Sequence, residues 1–384
     1  MYNFDEIIDR KGTNALNTDG FRGYIFHAGP EKVFPYKDDE FVRMWVADME
    51  FGVAPEIHDY YNSFSKWCKE HYDWSFPEEE LCFTPGIIPA LYQLTETLCN
   101  KDEKVLMNTP AYGYFLHSAE YAGVDVLHSP LKKKPDGTFE LDYENFEQQC
   151  ANPQCKMVFW CNPQNPTGRM WTEEELRRIA GIVEKYNLWI VSDEIHCDLI
   201  RCGRKHIPMA KVMTDYPKLI TCMAPSKTFN LAGLAFSNII IRDPVLRERF
   251  KERDKLFGMV NPMSLTAAKA AYDKGGAWHE ELKQYLDANF AFVKDFFDKN
   301  LPDAVMYIPE ATYLAWVDLS KCLPDVEDLP DFFANKAGVL LEGGNSLFVG
   351  NAAGYIRLNL AMPRSILKTG LERMRDTINA HNKH

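Results

Sequence analysis

Short apolar runs alternate with longer segments in which apolar residues recur every three or four positions, from about residue 104 to residue 241. The short runs predict buried strands, and the periodic segments predict helices that cover them. We predict strands at residues 104–107, 124–128, 157–161, 188–192, 219–223 and 238–241. Strands that alternate with helices are typical of a largely parallel sheet with helices on both faces.

The strongest helix signal is the sequence Thr-Glu-Glu-Glu at residues 172–175. A threonine followed three residues later by a glutamate has the spacing of a capping box, which satisfies backbone N–H groups at the start of a helix. Apolar residues then recur at Leu176, Ile179, Ile182 and Val183. We therefore predict a helix that opens at Thr172.

The pattern changes near residue 278. A long amphipathic helix is predicted over 281–300, and a closing helix from Arg364. Short apolar runs lie between them, at 305–308, 313–318, 339–341 and 355–360. Strands beside helices in this order predict a smaller α+β domain. Two domains that share a helix leave a cleft, where ligands bind preferentially.

The composition and charge of the chain narrow the classes of partner that it could bind. The 384 residues carry a formal charge of −12, so the chain as a whole does not attract nucleic acid or anionic membranes. Its ten cysteines lack the paired spacing of a metal site or a disulfide framework, and we expect reduced thiols. The N-terminus is charged where a signal peptide is apolar, and the apolar runs fall short of the about 20 residues of a membrane span. We expect a cytoplasmic protein without nucleic-acid or membrane partners.

Turn-forming and polar residues stand where an open α/β sheet binds its ligand. Residues 84–89 (TPGIIP) lead into a helix that begins near Gly86, whose free N–H groups suit a phosphate. Proline and glycine also open many helices that bind nothing. Residues 162–168 (NPQNPTG) follow the strand 157–161, and the alternative to a binding loop is a plain strand-to-helix connection.

Two charged groups follow the next strands. In SDEIH (192–196), Asp193 ends an apolar strand and needs a cation there. A metal held by Asp193, Glu194 and His196 is the alternative, but no second His or Cys pair with ligand spacing lies nearby, so we expect no metal. In APSKTFN (224–230), Lys227 is either an exposed lysine or, beside a buried cofactor, an amine that desolvation turns into a nucleophile.

Together these segments resemble the pyridoxal-phosphate-dependent aminotransferase superfamily. More closely, the chain is similar to the MalY/PatB-like cystathionine β-lyase (carbon–sulfur lyase) family. The matching segments, in order, are MWVADMEF (44–51), TPAYGYF (109–115), CNPQNPTG (161–168), SDEIHCDL (192–199), SKTFN (226–230), TYLAWVDL (312–319) and YIRLN (355–359). The similarity runs from residue 4 to the end of the chain.

The resemblance implies an α/β chain of fold type I. It implies a large domain with a mostly parallel seven-stranded sheet sandwiched by helices, and a small C-terminal α+β domain. We place an N-terminal arm and part of the small domain at 1–48, the large cofactor-binding domain at 49–280 and the small domain at 281–384. It also implies a homodimer with active sites at the subunit interface.

The resemblance further implies roles around a pyridoxal phosphate ring. Lys227 matches the lysine that binds the cofactor covalently and then moves the substrate's Cα proton. Asp193 matches the carboxylate that keeps the pyridine nitrogen protonated. Asn165 matches the residue that hydrogen-bonds the phenolic oxygen, and Tyr112 matches the ring that stacks on the cofactor, with a hydroxyl placed to assist proton transfer. His196 either orients Asp193 or is a packed histidine.

Other matches concern the phosphate and the substrate. Gly86, Ile87 and Ser226 match the phosphate cradle, and Arg357 matches the arginine that binds the substrate α-carboxylate. Ala235 stands where many aminotransferases have a phosphate-binding arginine, which the lyase branch commonly lacks.

Three further departures from the family are visible. Ala224 replaces the first serine of the lysine turn. Residues 54–57 lead directly to His58, where the family has a helix and a Gly-Tyr turn whose tyrosine reaches the partner subunit's phosphate. The stretch 22–39 is longer than its counterpart and receives no role.

We therefore expect α,β-elimination of L-cystathionine or another cysteine S-conjugate to a thiol, pyruvate and ammonia. An aminotransferase that uses the same lysine, aspartate and arginine is one alternative. A regulatory or binding protein on the same fold is another, although intact Lys227, Asp193, Asn165 and Arg357 favour an enzyme.

Overall fold

The structure is a computed structural model that describes residues 18, 20–38, 40–41, 60–201, 203–254, 260–345 and 347–383. The chain divides into two compact units, Met1–Asp59 and Tyr60–His384. In the first unit, the helix Phe21–Phe26 lies beside a cluster of aromatic rings. In this cluster, the ring centroids of Phe34 and Phe41 are 5.4 Å apart. The segment 44–51 and the junction after residue 57 lie outside the described residues.

A seven-stranded sheet forms the centre of the second unit. Its strands are β1 (Leu81–Thr84), β2 (Lys104–Thr109), β3 (Asp125–Pro130), β4 (Cys155–Cys161), β5 (Trp189–Asp193), β6 (Leu219–Met223) and β7 (Ser237–Ile241). Their order across the sheet is β1-β7-β6-β5-β4-β2-β3, and the neighbours from β6 to β3 are parallel while β7 is antiparallel to β1 and β6. The expected mostly parallel sheet of fold type I is confirmed.

Helices cover the large sheet on both faces. They are Tyr60–Tyr72, Ile87–Leu98, Gly113–Ala122, Tyr143–Cys150, Glu173–Lys185, Met209–Val212, Pro225–Thr228, Pro244–Asp254 and Pro262–Lys274. Alternate residues of β4 point to opposite faces: Val158 and Trp160 belong to one buried cluster, and Met157 and Phe159 belong to the other. The strand is therefore buried on both sides, which explains its continuous apolar sequence.

The predicted capping box is present at the start of the helix Glu173–Lys185. The Thr172 hydroxyl accepts a hydrogen bond from the Glu175 N–H at 3.2 Å, and the Glu175 carboxylate accepts one from the Thr172 N–H at 2.8 Å. The predicted strand at 219–223 has the observed bounds. The ends of the other five predicted strands of this sheet differ from the observed ends by at most two residues. Strand β1 was not predicted, because its four residues stand between three glutamates and a Pro-Gly turn.

The smaller α+β part follows as expected. Its antiparallel sheet contains β8 (Val305–Met306), β9 (Leu314–Asp318), β10 (Glu342–Gly343) and β11 (Tyr355–Asn359), in the order β8-β9-β11-β10. The helices Gly276–Asn300, Leu329–Ala337 and Arg364–His381 pack on it around a third buried cluster. The prediction of a strand at 339–341 was wrong, because the observed strand consists of the next two residues, Glu342–Gly343. The boundaries proposed near residues 48 and 280 stay predictions.

The helices and the cysteines of the described residues bear on the expected absence of membrane spans and of disulfides. None of their helices is both long enough and apolar enough to cross a bilayer. The nine cysteines described are free thiols, whereas Cys202 lies outside the described residues.

Candidate active site

One cavity of about 640 Å³ brings together every site residue predicted from the sequence. These residues are Gly86, Ile87, Tyr112, Asn165, Asp193, His196, Ser226, Lys227 and Arg357. The volume lies in the range of about 300–1,000 Å³ that is usual for small-molecule sites.

The register of three parallel strands explains why distant residues meet. Cys161 at the end of β4 lies beside Asp193 at the end of β5, and Asp193 lies beside Cys222 in β6. The loops that carry Asn165 and Lys227 leave from the same edge of the sheet, since parallel strands end together.

The Asp193 carboxyl is buried at this edge. One of its oxygens accepts a hydrogen bond from the Ile195 N–H at 3.1 Å. Burial raises the pKa of Asp193 to about 7, against the opposing effects of that hydrogen bond and of the Lys227 charge. A buried carboxyl of this kind gains from a cationic ligand, because a nearby positive charge stabilises its ionised form.

Glu194 follows Asp193 in the sequence but makes different contacts. Its carboxylate pairs with His206 Nε2 at 2.6 Å and accepts hydrogen bonds from the Ser192 hydroxyl at 2.8 Å and the Met209 N–H at 2.9 Å. It does not line the cavity. In the described part of the chain, no three His, Cys, Asp or Glu side chains are arranged so that they could share a metal ion.

His196 lines the cavity as a neutral imidazole. Burial, followed by the charges of Lys227 and Arg357, lowers its pKa to about 3. Its ring centroid lies 6.2 Å from that of Tyr313, and its buried Nδ1 has no hydrogen-bond partner within the described ranges. A buried polar atom without a partner is costly, and a polar group of a ligand would remove that cost.

Lys227 lies in the short helix Pro225–Thr228, directly after β6. Burial and the charge of Arg357 lower the pKa of its amine, and Asp193 partly opposes them. Its amine has no hydrogen-bond or ion-pair partner among the residues that the structure describes. The adjacent Thr228 donates a hydrogen bond to the buried Asp198 carboxylate at 2.7 Å, which fixes the turn.

Two helix starts offer backbone donors to an anion. Gly86 precedes the helix Ile87–Leu98 with φ at 126°, a value that favours glycine, and no side chain caps the helix. Ser226 lies in the first turn of Pro225–Thr228, which also lacks a side-chain cap. Uncapped N–H groups at the start of a helix suit a phosphate. Ala235 lines the same cavity and adds no charge.

Asn165 and Arg357 connect the sheet edge to the C-terminal sheet. The Arg357 Nη1 donates a hydrogen bond to Asn165 Oδ1 at 2.8 Å, and its Nη2 forms an ion pair with Glu342. The guanidinium carbon lies 4.9 Å from the centre of the Phe348 ring. Burial lowers the pKa of Arg357 to about 10, against the opposing charges of Tyr112 and Tyr313.

Tyr112 is held by strand pairing. It faces Phe348 across a two-stranded ribbon formed by Ala111–Tyr112 and Phe348–Val349. Its ring is half-buried in the cavity wall, and burial raises the pKa of its hydroxyl. The ring therefore presents an aromatic surface and a protonated hydroxyl to the cavity.

Tyr313 and Glu342 are among the cavity residues that the sequence did not predict. Tyr313 belongs to the matched segment TYLAWVDL but received no role, and its place directly before the strand β9 could have suggested one. Glu342 had no usable signal, because its strand is two residues long and its sequence neighbours predicted a strand elsewhere.

Comparison with known proteins decides the family. The sequence profile of aminotransferase class I and II matches residues 50–374. The chain belongs to this aminotransferase family. Among curated relatives, it is 34% identical over 397 residues to a protein of Bacillus subtilis named cystathionine beta-lyase PatB, covering 97% of this chain and 99% of the relative. It is 29% identical over 408 residues to protein MalY of Escherichia coli, covering 99% and 100%. The resemblance to the MalY/PatB-like branch is thereby confirmed.

A solved aminotransferase-fold structure agrees. The crystal structure of the PLP-bound C-S lyase from Staphylococcus hominis superposes with a TM-score of 0.80 at 41% identity, covering 98% of both chains. The roles of individual residues in the present member of the family stay predictions.

Proposed function

We propose that this chain is a pyridoxal-phosphate-dependent carbon–sulfur β-lyase. Its substrate would be L-cystathionine or another cysteine S-conjugate, and its products a thiol, pyruvate and ammonia. The observation that carries the proposal is one cavity in which three groups converge. They are the amine of Lys227, which has no hydrogen-bond partner among the described residues, the buried carboxyl of Asp193 and the guanidinium of Arg357. The names of the PatB relative and of the Staphylococcus C-S lyase support it.

The lining fits pyridoxal phosphate group by group. Uncapped helix starts at Gly86 and Ser226 suit the phosphate, Asp193 suits the pyridine nitrogen, and the buried Nδ1 of His196 lacks a partner among the described residues. Lys227 would bind the aldehyde carbon. When bound, the cofactor accepts into its ring the electron pair of the broken Cα–H bond.

The protein's own residues would divide the work. Arg357 binds the α-carboxylate through its planar fork and so orients the substrate. Lys227, whose lowered pKa favours the neutral amine, takes the proton from Cα. Asp193 holds a proton at the pyridine nitrogen, and Asn165 hydrogen-bonds the phenolic oxygen. The Tyr112 ring would stack on the cofactor, and its hydroxyl, whose pKa burial raises, would assist the transfer of the Cα proton.

The overall reaction balances without an oxidant. The Cα–H and Cβ–S bonds break, the Cα–H electron pair ends in a new Cα=Cβ bond, and the Cβ–S electron pair leaves with sulfur as a thiolate. A proton then adds to Cβ, and water replaces the nitrogen at Cα to give pyruvate and ammonia. An aminotransferase would instead keep the Cβ–S bond and release the keto acid of the whole substrate. Aminotransferase activity is the second candidate function, because the chain matches the aminotransferase class I and II family.

The test is a product balance. Purified protein loaded with pyridoxal phosphate is incubated with L-cystathionine, and pyruvate, ammonia and thiol are measured together. We expect the three in equal amounts, without any added keto acid. A sulfur-containing keto acid that forms only with an amino acceptor would identify an aminotransferase, and a protein that neither binds the cofactor nor turns over would favour a regulatory role.

We further propose that the protein acts in the cytoplasm as a homodimer. The free thiols of the nine described cysteines are compatible with a reducing compartment. The dimer is proposed from the family resemblance. Light scattering of the purified protein tests it, with a mass near twice 44.2 kDa expected.

A further inference from the structure

The guanidinium proposed to bind the substrate carboxylate already has partners within the chain. Both terminal nitrogens of Arg357 are engaged, one by Asn165 Oδ1 at 2.8 Å and the other by the Glu342 carboxylate. The Arg357 side chain is mostly buried, with 10% of its surface exposed. A guanidinium has five N–H donors, and an incoming carboxylate that binds through the N–H groups already used by Asn165 and Glu342 competes with these two acceptors.

The two acceptors differ in how firmly they are held. Asn165 is buried in a loop that its neighbour Gln164 fixes through hydrogen bonds to Pro110 O at 2.8 Å and from the Thr167 N–H at 2.9 Å. Glu342 has 47% of its side chain exposed and lies in β10, which is two residues long. Among the described residues its carboxylate contacts no second cation. Moving the Glu342 carboxylate away from Arg357 into water therefore costs much less free energy than moving the Asn165 side chain away.

The position of Glu342 directs it at Arg357. The two residues are opposite each other in the antiparallel pair β10 and β11, so their side chains lie on the same face of the sheet. Both line the cavity. Leu340, two residues before Glu342, is 90% exposed and also lines the cavity. The segment that carries the carboxylate thus forms the open side of the site.

We propose that Glu342 is an internal carboxylate that occupies Arg357 until the substrate's α-carboxylate displaces it. Glu342 is then a specificity-determining residue: a ligand gains from Arg357 only if its carboxylate competes successfully with the one in the chain. An amino compound without a carboxylate leaves the Glu342–Arg357 pair closed. This inference rests on the proposed role of Arg357 as the carboxylate site.

The experiment compares two ligands that lack a leaving group on Cβ. L-Alanine carries the α-carboxylate, and L-alaninamide has the same shape without that charge. Their dissociation constants are measured by calorimetry and by the visible spectrum of the cofactor-loaded protein. Neither ligand can undergo β-elimination, so the result does not depend on whether the protein is a lyase.

We expect Glu342→Gln to bind L-alanine about 3- to 10-fold more tightly than the unaltered protein, because a neutral amide competes less well for Arg357. L-Alaninamide should bind with unchanged affinity. Glu342→Asp keeps the charge but shortens the side chain by one methylene group, so it should also tighten L-alanine binding. The matched control is Glu372→Gln, a glutamate with 42% of its side chain exposed that pairs with Lys368 away from the cavity, and it should change neither constant.

Three results would overturn the proposal. Unchanged L-alanine affinity in Glu342→Gln means that the pair does not close the site. Tightening in Glu342→Gln but not in Glu342→Asp means that the charge acts through its field and not through contact. Weaker L-alaninamide binding in Glu342→Gln means that Glu342 holds the ligand's ammonium group. A failed product balance with normal L-alanine binding would reject the lyase and leave the Glu342 proposal standing.

Discussion

Two sides of the cavity are built differently. The strand-end floor, formed by Asn165, Asp193 and Lys227, belongs to the large parallel sheet and its loops. The C-terminal wall, formed by Tyr313, Glu342 and Arg357, belongs to the small antiparallel sheet and the residue preceding its strand β9. The floor contains a buried carboxyl and a loop fixed by buried hydrogen bonds. The wall contains an ion pair whose acidic member is half exposed.

This difference separates two tasks. Electrostatic tuning of a cofactor requires groups that stay in place when the ligand changes, and buried partners provide that. Selection of a substrate requires groups that exchange one partner for another, and half-exposed residues do this at low cost. We expect floor substitutions to change the reaction rate and wall substitutions to change substrate affinity.

The largest effect is expected at the amine of the floor. Lys227→Ala should lower pyruvate release from L-cystathionine by more than about 10³-fold, because the proposed proton carrier is lost. The thermal midpoint of the cofactor-free protein should not fall, since burial and Arg357 disfavour the charged amine. Steady-state assays and circular dichroism measure both. Lys211→Ala, which removes an exposed lysine paired with Asp73 at 3.3 Å, should retain full activity.

The next effect is expected at the buried carboxyl. Asp193→Asn should lower pyruvate release by about 10²–10³-fold and weaken cofactor binding, because the pyridine nitrogen loses its anionic partner. Assays at saturating cofactor and fluorescence titration of the cofactor separate the two effects.

The adjacent glutamate supplies the control. Glu194→Gln disturbs the buried pair with His206 and should lower the thermal midpoint strongly. At a temperature where the variant is folded, its turnover should stay near that of the unaltered protein. Equal losses of turnover in both variants would contradict the distinct role assigned to Asp193.

A smaller effect, on affinity, is expected at the wall. Arg357→Lys should raise the KM for L-cystathionine about 10- to 100-fold, because an ammonium group cannot make the paired hydrogen bonds of a guanidinium. The kcat should change much less, as measured by initial rates over a wide substrate range. Arg364→Lys, at an arginine that contacts Asn289 outside the cavity, should leave KM unchanged. If the variant lowered kcat and left KM unchanged, Arg357 would act on the reaction rate, as we expect of the floor residues, and not on substrate affinity.

The last effect concerns the pH dependence of stability and not the activity. The pKa of Asp193 is raised from 3.8 to about 7, so the folded protein favours the protonated carboxyl, and stability is lost as pH rises through that window. A tenfold change in the proton affinity of a group on folding changes the free energy of unfolding by about 1.4 kcal/mol. The cofactor-free Asp193→Asn variant should therefore gain stability relative to the unaltered protein from pH 4 to pH 7. Urea unfolding at several pH values measures this, and a constant difference would mean that Asp193 is ionised throughout.

The floor could be predicted from sequence because its signals are local. Each floor residue follows an apolar run within a few positions, and parallel strands place their carboxyl ends together. Lys227, Asp193 and Asn165 were assigned in this way and by resemblance, and all three line the cavity. The capping box at Thr172 is equally local.

The wall was harder to predict because its contacts link distant parts of the chain. The hydrogen bond from Arg357 to Asn165 spans 192 positions, and Glu342 lies in a strand too short to show a period. Strand β1 was missed for a similar reason: four residues at a sheet edge are identified by their pairing with β7, which the sequence does not display. The opposite directions of Asp193 and Glu194 likewise follow from the packing around His206.

The most direct test of the account is to find the residue that binds the cofactor. Protein loaded with pyridoxal phosphate is reduced with borohydride, digested and mapped by mass spectrometry. We predict a pyridoxyl group on Lys227 alone, and none in the Lys227→Ala variant. A label on another lysine, or a loaded protein that carries no covalent label, would contradict the assignment of the strand-end floor as the reacting side of the cavity.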